Sequence, residues 1–289
     1  MAWKLYRVTY QLESPLHIGF HKVGNVQRTR YYVPARNLWG AVTERLTRSG
    51  FSDEQTREGD YVEVGLWVKA HCALGYFFLC DGRTLLHPRY TEQGLIYRDL
   101  DPYAFEKCYL GSHVTTALDA VTTSAETGSL HEVEFIAPYR FMNDETDRTR
   151  LCGWVFLDDK GRAQLGNEGK WRNWLGELQV GGERRYGFGR LKLLWMQPVG
   201  SLEKYPVQLE TDRPRVKIAA DSVILAHALA EGVEARGMIE PLVGRETSGD
   251  SARFGTKLTT GRVCWVPGST VSREIFFQIS EIGIWSKVS

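Results

Sequence analysis

Residues 180–191, VGGERRYGFGRL, hold four glycines and three arginines in twelve positions. Glycine removes the side chain that otherwise keeps two backbones apart. Arginine presents a fork of donors that fits phosphate oxygens, and an aromatic ring offers a face to a base. Gly181, Gly182, Gly187 and Gly189, with Arg184, Arg185, Arg190, Tyr186 and Phe188, therefore form a candidate RNA-binding loop. The alternative is a flexible hairpin with solvated arginines. A nucleotide-binding P-loop is excluded, because Phe188 and Gly189 stand where Lys and Ser or Thr belong. The order of elements is also reversed: a P-loop leads into a helix N-terminus, whereas a strand pattern follows here.

A second basic stretch surrounds the start of the first predicted helix. It contains His17, His21, Lys22, Arg28, Arg30, Tyr31 and Arg36. His21, Lys22, Arg28, Arg30, Arg36 and Asn37 are read as candidate RNA contacts flanking the same groove, with His113 and Thr115 added from a later β-rich segment. A solvated charge run is the competing account. For catalysis, His17, His21 and His113 are of the type that serves as general acid or base in metal-independent RNA cleavage. His17, set in the apolar PLHIG, reads instead as a buried, hydrogen-bonded residue. The Asp158–Asp159 pair reads as a turn, and there is no GxSxG. No metal or cofactor is expected.

The elements that must position these residues follow from periodicity. Tyr6, Val8, Tyr10 and Leu12 alternate as a strand does. Leu38, Ala41, Val42 and Leu46 make a helical stripe after Pro34, with Asn37 placed as N-cap and Gly50 as stop. Residues 75–80 read as a buried strand, 81–112 as an irregular insertion, and the region around 113–135 as a long hairpin. Residues 151–159 give another strand. Trp171, Trp174, Leu175 and Leu178 mark a second helix, and a strand follows the glycine loop. The succession is that of an α+β, ferredoxin-like βαββαβ domain, also the frame of the RNA-recognition module. Its expected extent is residues 1–206, with a hairpin insertion at about 112–140. Residues 207–289 form a C-terminal extension or reduced second domain, with a helix at 221–235, a loop at 243–262 and two strands at 262–285.

Composition narrows the classes further. The chain has 289 residues, 43% hydrophobic and 25% charged, with a formal net charge of +1, so any basic groove must be local. No apolar run approaches a membrane span, and the N-terminus alternates instead of showing a signal peptide's three zones. The five cysteines are odd in number, widely spaced and without CxxC, which predicts neither zinc nor a disulfide framework and points to the cytoplasm.

Taken together, these segments resemble the RAMP superfamily, the repeat-associated RNA-binding proteins of CRISPR-Cas systems. LESPLHIG followed by YYVPARNLWGAV is similar to that family's first strand and turn into the first helix. Ala35, Arg36 and Asn37 replace its glycine-serine turn, and Trp39 replaces a basic residue. ALDAVTTSAETGSLHEVEFIAPYRF resembles the β-hairpin thumb of type III subunits, and VGGERRYGFGRL resembles the family's glycine-rich loop. The likeness spans residues 5–195, and GRVCWVPGSTV in the tail resembles the ending of subunits that cap the crRNA 5′ end in type III-B and III-D complexes. Backbone subunits of the family carry a target-cleaving aspartate between first strand and first helix, but residues 18–33 hold no Asp or Glu. The resemblance thus implies a non-catalytic subunit of a type III-like effector complex. It would grip the crRNA 5′ handle, contact other effector subunits and meet target RNA indirectly. Two alternatives stay open: a repeat-processing endoribonuclease using His17 or His21, and an inactive backbone subunit or protein-contacting adaptor.

Overall fold

The computed structural model describes residues 2–288, apart from 55, 83, 93, 119–120, 125, 127, 143–144 and 247–256. The alternating N-terminal segment forms β1 (Lys4–Leu12), whose Leu5, Tyr6, Val8, Tyr10 and Leu12 are all buried. An antiparallel ribbon of β2 (Gly19–Val23) and β3 (Val26–Thr29) follows, then the short β4 (Tyr32–Val33). Helix α1 (Ala35–Arg48) buries the predicted stripe of Leu38, Ala41, Val42 and Leu46. Its start corrects the sequence reading: Pro34, not Asn37, occupies the cap position. Proline's fixed φ and missing N–H suit the place just ahead of a first turn. Asn37 lies inside that turn, its N–H bonded to the Pro34 carbonyl at 3.0 Å.

Helix α2 (Tyr61–His71) has no counterpart in the sequence reading. Asp60 caps it by accepting from the Val62 and Glu63 N–H groups, and Gly65 lets it lie close against α1, with Trp39 Nε1–H donating to the Gly65 carbonyl at 3.0 Å. Strand β5 (Cys72–Asp81) is buried along almost its whole length, and β6 (Thr84–Leu85) folds back on it. The segment expected to be irregular holds regular structure instead: a hairpin of β7 (Pro88–Thr91) and β8 (Gly94–Tyr97), then α3 (Pro102–Tyr109). Stacked rings order it, Tyr97 on Phe105 at 3.9 Å and Phe105 on Tyr31 at 5.5 Å.

The long hairpin is present as β9 (Leu110–Thr115) and β10 (His131–Ile136), antiparallel from Thr115 opposite His131 to Leu110 opposite Ile136. Positions 119–120, 125 and 127 of its connection lie outside the described residues. Because β10 also pairs in parallel with β3, the ribbon and hairpin share one sheet, ordered β2-β3-β10-β9. A small ribbon of β11 (Tyr139–Met142) and β12 (Glu145–Arg148) leads into β13 (Arg150–Leu157). Then come α4 (Asp159–Leu165), α5 (Glu168–Leu175), β14 (Glu177–Gln179) and β15 (Arg190–Pro198). The main sheet runs β14-β15-β1-β13-β5-β4, antiparallel throughout, with β6 beside β5. Helix α5 is tied to its centre: Trp171 Nε1–H donates to the Tyr10 hydroxyl, which donates to the Leu175 carbonyl, each at 2.9 Å. Cys80 on β5 and Cys152 on β13 are joined as a disulfide. The cysteine spacing argued against such a bond, because 72 residues of sequence conceal that the two strands are neighbours.

From Ser201 onward an eight-stranded sheet takes over. Its order is Ser201–Leu202, Tyr205–Gln208, Arg215–Ile218, Ile275–Ile279, Trp285–Lys287, Ala228–Leu229, Arg262–Trp265 and Ile239–Leu242. The helix expected at 221–235 does not form. The backbone there is claimed by other strands, with Ile224 N–H on the Ser269 carbonyl at 2.9 Å and Ala230 N–H on that of Val263 at 3.0 Å. Residues 262–285 supply more than the two strands expected, since Thr270–Val271 and Trp285–Lys287 are added. Of the predicted loop at 243–262, residues 247–256 lie outside the described residues. The whole is a mixed α+β fold, mostly strand, with five α-helices among the described residues.

A buried polar chain joins the two large sheets. Tyr76 on β5 bonds His227 Nδ1 at 2.6 Å, His227 Nε2 meets Glu240 Oε1 at 2.5 Å, and Arg30 reaches Glu240 at 2.8 Å and the Tyr32 hydroxyl at 3.0 Å. A carboxylate only accepts, so we assign the proton to Nε2 and let Nδ1 accept from the tyrosine. Burial pushes the His227 imidazole below its ordinary 6.5, although the Glu240 hydrogen bond pulls the other way. Burial alone would raise the Glu240 carboxyl, but His227 and Arg30 together hold it below its ordinary 4.5. Both groups bind fewer protons folded than unfolded. Their contribution is therefore complete above about pH 6.5 and is lost as the pH falls, first as unfolded His227 takes up a proton and then through the depressed Glu240 value. Urea unfolding at stepwise lower pH should show that decline, and Glu240→Gln should lower the neutral-pH plateau and remove the part of the decline below about pH 4.5, leaving the part set by His227. An identical pH profile for wild type and variant would contradict the assignment.

Candidate nucleic-acid interface

The glycine loop closes the hairpin between β14 and β15, with Val180 N–H bonded to the Gly189 carbonyl at 2.9 Å. It is internally ordered. Residues Arg184–Tyr186 make a turn of 3-10 helix, and the Gln179 side-chain amide donates to the Arg184 and Phe188 carbonyls at 3.0 and 2.9 Å. The loop is also docked on the chain leading to β2: Gly182 N–H donates to the His17 carbonyl at 2.8 Å, and Gly189 N–H to that of Pro15 at 2.7 Å. A flexible hairpin would show neither feature.

These contacts redefine the glycines. Gly181 has φ +88° and a side chain there would stand 2.3 Å from the His17 carbonyl oxygen. At Gly189, with φ +79°, it would stand 1.8 Å from that of Val180. The backbone admitted at Gly181 and Gly189 is thus the protein's own, while at Gly182 a side chain would stand 3.1 Å from the His17 ring. Gly187, at φ +85°, faces open space.

Arg185 and Tyr186 are exposed at the loop's turn, and Arg190 is exposed at the start of β15. Phe188 packs edge-on against Phe135 of β10, rings 5.6 Å apart, and so is engaged with the hairpin sheet. Arg184 is ion-paired with Glu44 of α1, which also holds Arg48 at 3.0 Å. A cleft of about 430 Å³ lies between α1 and β14–β15. Arg45, Arg48, Arg184, Arg190 and Lys192 line it, opposed by the carboxylates Glu13, Glu44 and Glu177. Five cations against three carboxylates leave a net positive charge of two. The sequence reading found Arg184 and Arg190 but missed Arg45, Arg48 and Lys192. The two helix arginines are visible as charges on the polar face opposite the buried stripe, but nothing in the sequence places that face beside the loop.

The second basic stretch does not close a groove with the loop as a unit. His21 and Lys22 are exposed on β2, with His21 edge-on to Phe20 at 4.1 Å. His113 is exposed on β9, at the opposite edge of the same sheet, and Thr115 is bonded to His131 Nε2 at 2.8 Å. Arg28 is committed to Glu134 at 2.8 Å and Glu106 at 3.5 Å, and Arg30 to Glu240. Arg30 also lies over the Phe20 ring at 4.3 Å. Arg36 packs where a side chain on Gly244 would stand 2.5 Å from its guanidinium carbon, and Asn37 is half-buried. His17 is 5% exposed, and its Nδ1 lies 2.7 Å from the Glu134 carbonyl, which can only accept.

No family model matches the sequence, and no curated protein matches it. Solved structures do match. The fold is similar to that of chains in the Type III-B Cmr-beta complex. A chain of the type III-B Cmr-beta complex bound to cognate target RNA aligns with a TM-score of 0.55 and 12% identity, over 92% of this chain and 86% of that one. A chain of Cmr-beta bound to cognate target RNA and AMPPnP aligns at 0.54 and 13% identity, over the same shares. At such identities the likeness is one of fold. Among the described residues, no helix is long and apolar enough to cross a membrane, and no cluster of three or more His, Cys, Asp or Glu is placed to hold a metal ion.

The loop's geometry ranks its glycines. Gly187→Ala should cost about 1 kcal/mol, the price of a left-handed residue in open space. Gly189→Ala should cost roughly 3 kcal/mol or more, because its methyl overlaps the Val180 carbonyl and breaks the dock. Urea denaturation of the two variants measures this, and equal losses would contradict the docking role.

Proposed function

We propose that this chain is an RNA-binding, non-catalytic subunit of a type III-like CRISPR-Cas effector complex, gripping the crRNA 5′ handle and docking against neighbouring subunits. The observation that carries this reading is the cationic cleft. The glycine loop, pinned to residues 15–17, sets Arg184 and Arg190 beside Arg45 and Arg48 of α1. Forked guanidinium donors gathered in one cleft suit the phosphates of a strand, and exposed Tyr186 offers a face to a base. The likeness in fold to chains of RNA-bound Cmr-beta supports the same reading.

In this reading the order β15-β1-β13-β5, with α1 and α5 in the connections, is a ferredoxin-like RAMP frame. The sheet that begins at Ser201 is its C-terminal unit. The β9–β10 hairpin is the thumb, which separates guide bases or meets a neighbour, with His21, Lys22 and His113 exposed on its sheet. Such a subunit works in the cytoplasm beside its RNA. The endoribonuclease alternative is weaker: His17 is buried, and its Nδ1–H donates to the Glu134 backbone carbonyl. His21 is left to carry that alternative alone.

The test is binding of labelled repeat-derived RNA without divalent metal, across a salt series. Arg190→Ala with Lys192→Ala should weaken binding and flatten the log–log salt slope by about one to two. Both residues are exposed, so the fold should survive. An unchanged slope overturns the cleft assignment, discrete RNA cleavage overturns the non-catalytic role, and no binding by wild type overturns the reading as a whole.

A further inference from the structure

Glu44 is the anomaly of the cleft. A surface built for phosphate gains nothing from a carboxylate, and of the three that line this one Glu13 and Glu177 are exposed, whereas Glu44 is held with only 17% of its side chain exposed. Its two oxygens are divided between two cations: Oε2 takes Arg184 Nη2, and Oε1 takes Arg48 Nη2 at 3.0 Å. Two oxygens of one phosphate would divide the same way, since carboxylate and phosphate share the geometry that guanidinium forks recognise. The arrangement is also incomplete. Arg184 Nε is buried with no hydrogen-bond partner, so the fork that meets Glu44 is only partly satisfied. Arg48 has 69% of its side chain exposed, and Arg184 has 37%, so both remain within reach of an incoming group.

Resting on the RNA-binding reading above, we infer that Glu44 is an internal phosphate mimic, holding Arg184 and Arg48 in the RNA-free protein until an RNA phosphate displaces it. A phosphodiester fits this exchange because partly exposed ion pairs are individually weak and compete poorly with a chain of phosphates that releases counterions on binding. The cost of displacement falls on every ligand. It is recovered by a strand that fills the rest of the cleft along Arg45, Arg190 and Lys192, and it is not recovered by a lone anion. The mimic thereby favours polymeric phosphate over free phosphate.

A purely structural Glu44, serving only to anchor the loop to α1, predicts the opposite result when it is neutralised. The decisive measurement is fluorescence anisotropy with labelled single-stranded RNA, without divalent metal and across a salt series, on wild type and Glu44→Gln. The mimic predicts tighter binding by roughly threefold and a salt slope steeper by about one, as freed guanidinium groups reach phosphate. It further predicts that the gain disappears in an Arg184→Ala background. If wild type binds and Glu44→Gln binds equally or more weakly while keeping its unfolding midpoint, the mimic is overturned and the RNA reading stands. If neither protein binds, both fall together. Should Glu44→Gln fail to fold, Glu44→Asp, which shortens the arm and loosens both pairs, must show the same tightening.

Discussion

A carboxylate as enclosed as Glu240 must be met by partners, because leaving one buried charge unpaired costs about 3–5 kcal/mol. It is met by His227 on one side and Arg30 on the other, and His227 is in turn held by Tyr76. These residues come from the ribbon before α1, from the heart of the main sheet and from the C-terminal sheet. The charge is satisfied only when all three are assembled, so a misplaced C-terminal sheet would strand it. Apolar contact fills in around this lock. Tyr32 stacks on Tyr76 at 5.8 Å, and at Gly283 a side chain would stand 2.3 Å from Ala35 at the head of α1. The electrostatic demand selects one docking, and the close packing holds it.

The same accounting sorts the cations of the molecule. Residue type says how many donors a side chain has, and the neighbours decide whether they are already spent. Arg28 and Arg30 look in sequence like the best phosphate ligands of the N-terminal region, yet carboxylates at Glu134, Glu106 and Glu240 absorb them. What remains exposed there is His21 and Lys22, on a ribbon apart from the cleft. The concentration of positive charge lies instead where α1 meets β14–β15.

The sheet frame was legible because its strands and the two main helices carry strong periodicity, as in Tyr6, Val8, Tyr10 and Leu12 or Leu38, Ala41, Val42 and Leu46. Helix α2 was not, because YVEVGLWVKAH is rich in β-branched residues and apolar on several faces, so propensity and pattern both mislead there. Residues 221–235 erred the other way: a helical composition lost to the hydrogen bonds that neighbouring strands offered its backbone. Of the site, the loop was visible as a motif, but the destination of its glycines was not. Only the fold brings Pro15 and His17 to within a hydrogen bond of residues 182 and 189. Glu44 was hidden for the same reason, since 140 residues separate it from Arg184.

His17 ties the β9–β10 hairpin to the glycine loop. Its ring is fastened to the Glu134 carbonyl on β10, and its own carbonyl to the N–H of Gly182. One imidazole and one peptide unit thus connect strand β10 to the glycine loop. The hairpin and the glycine loop share one support, and a change at His17 reaches both.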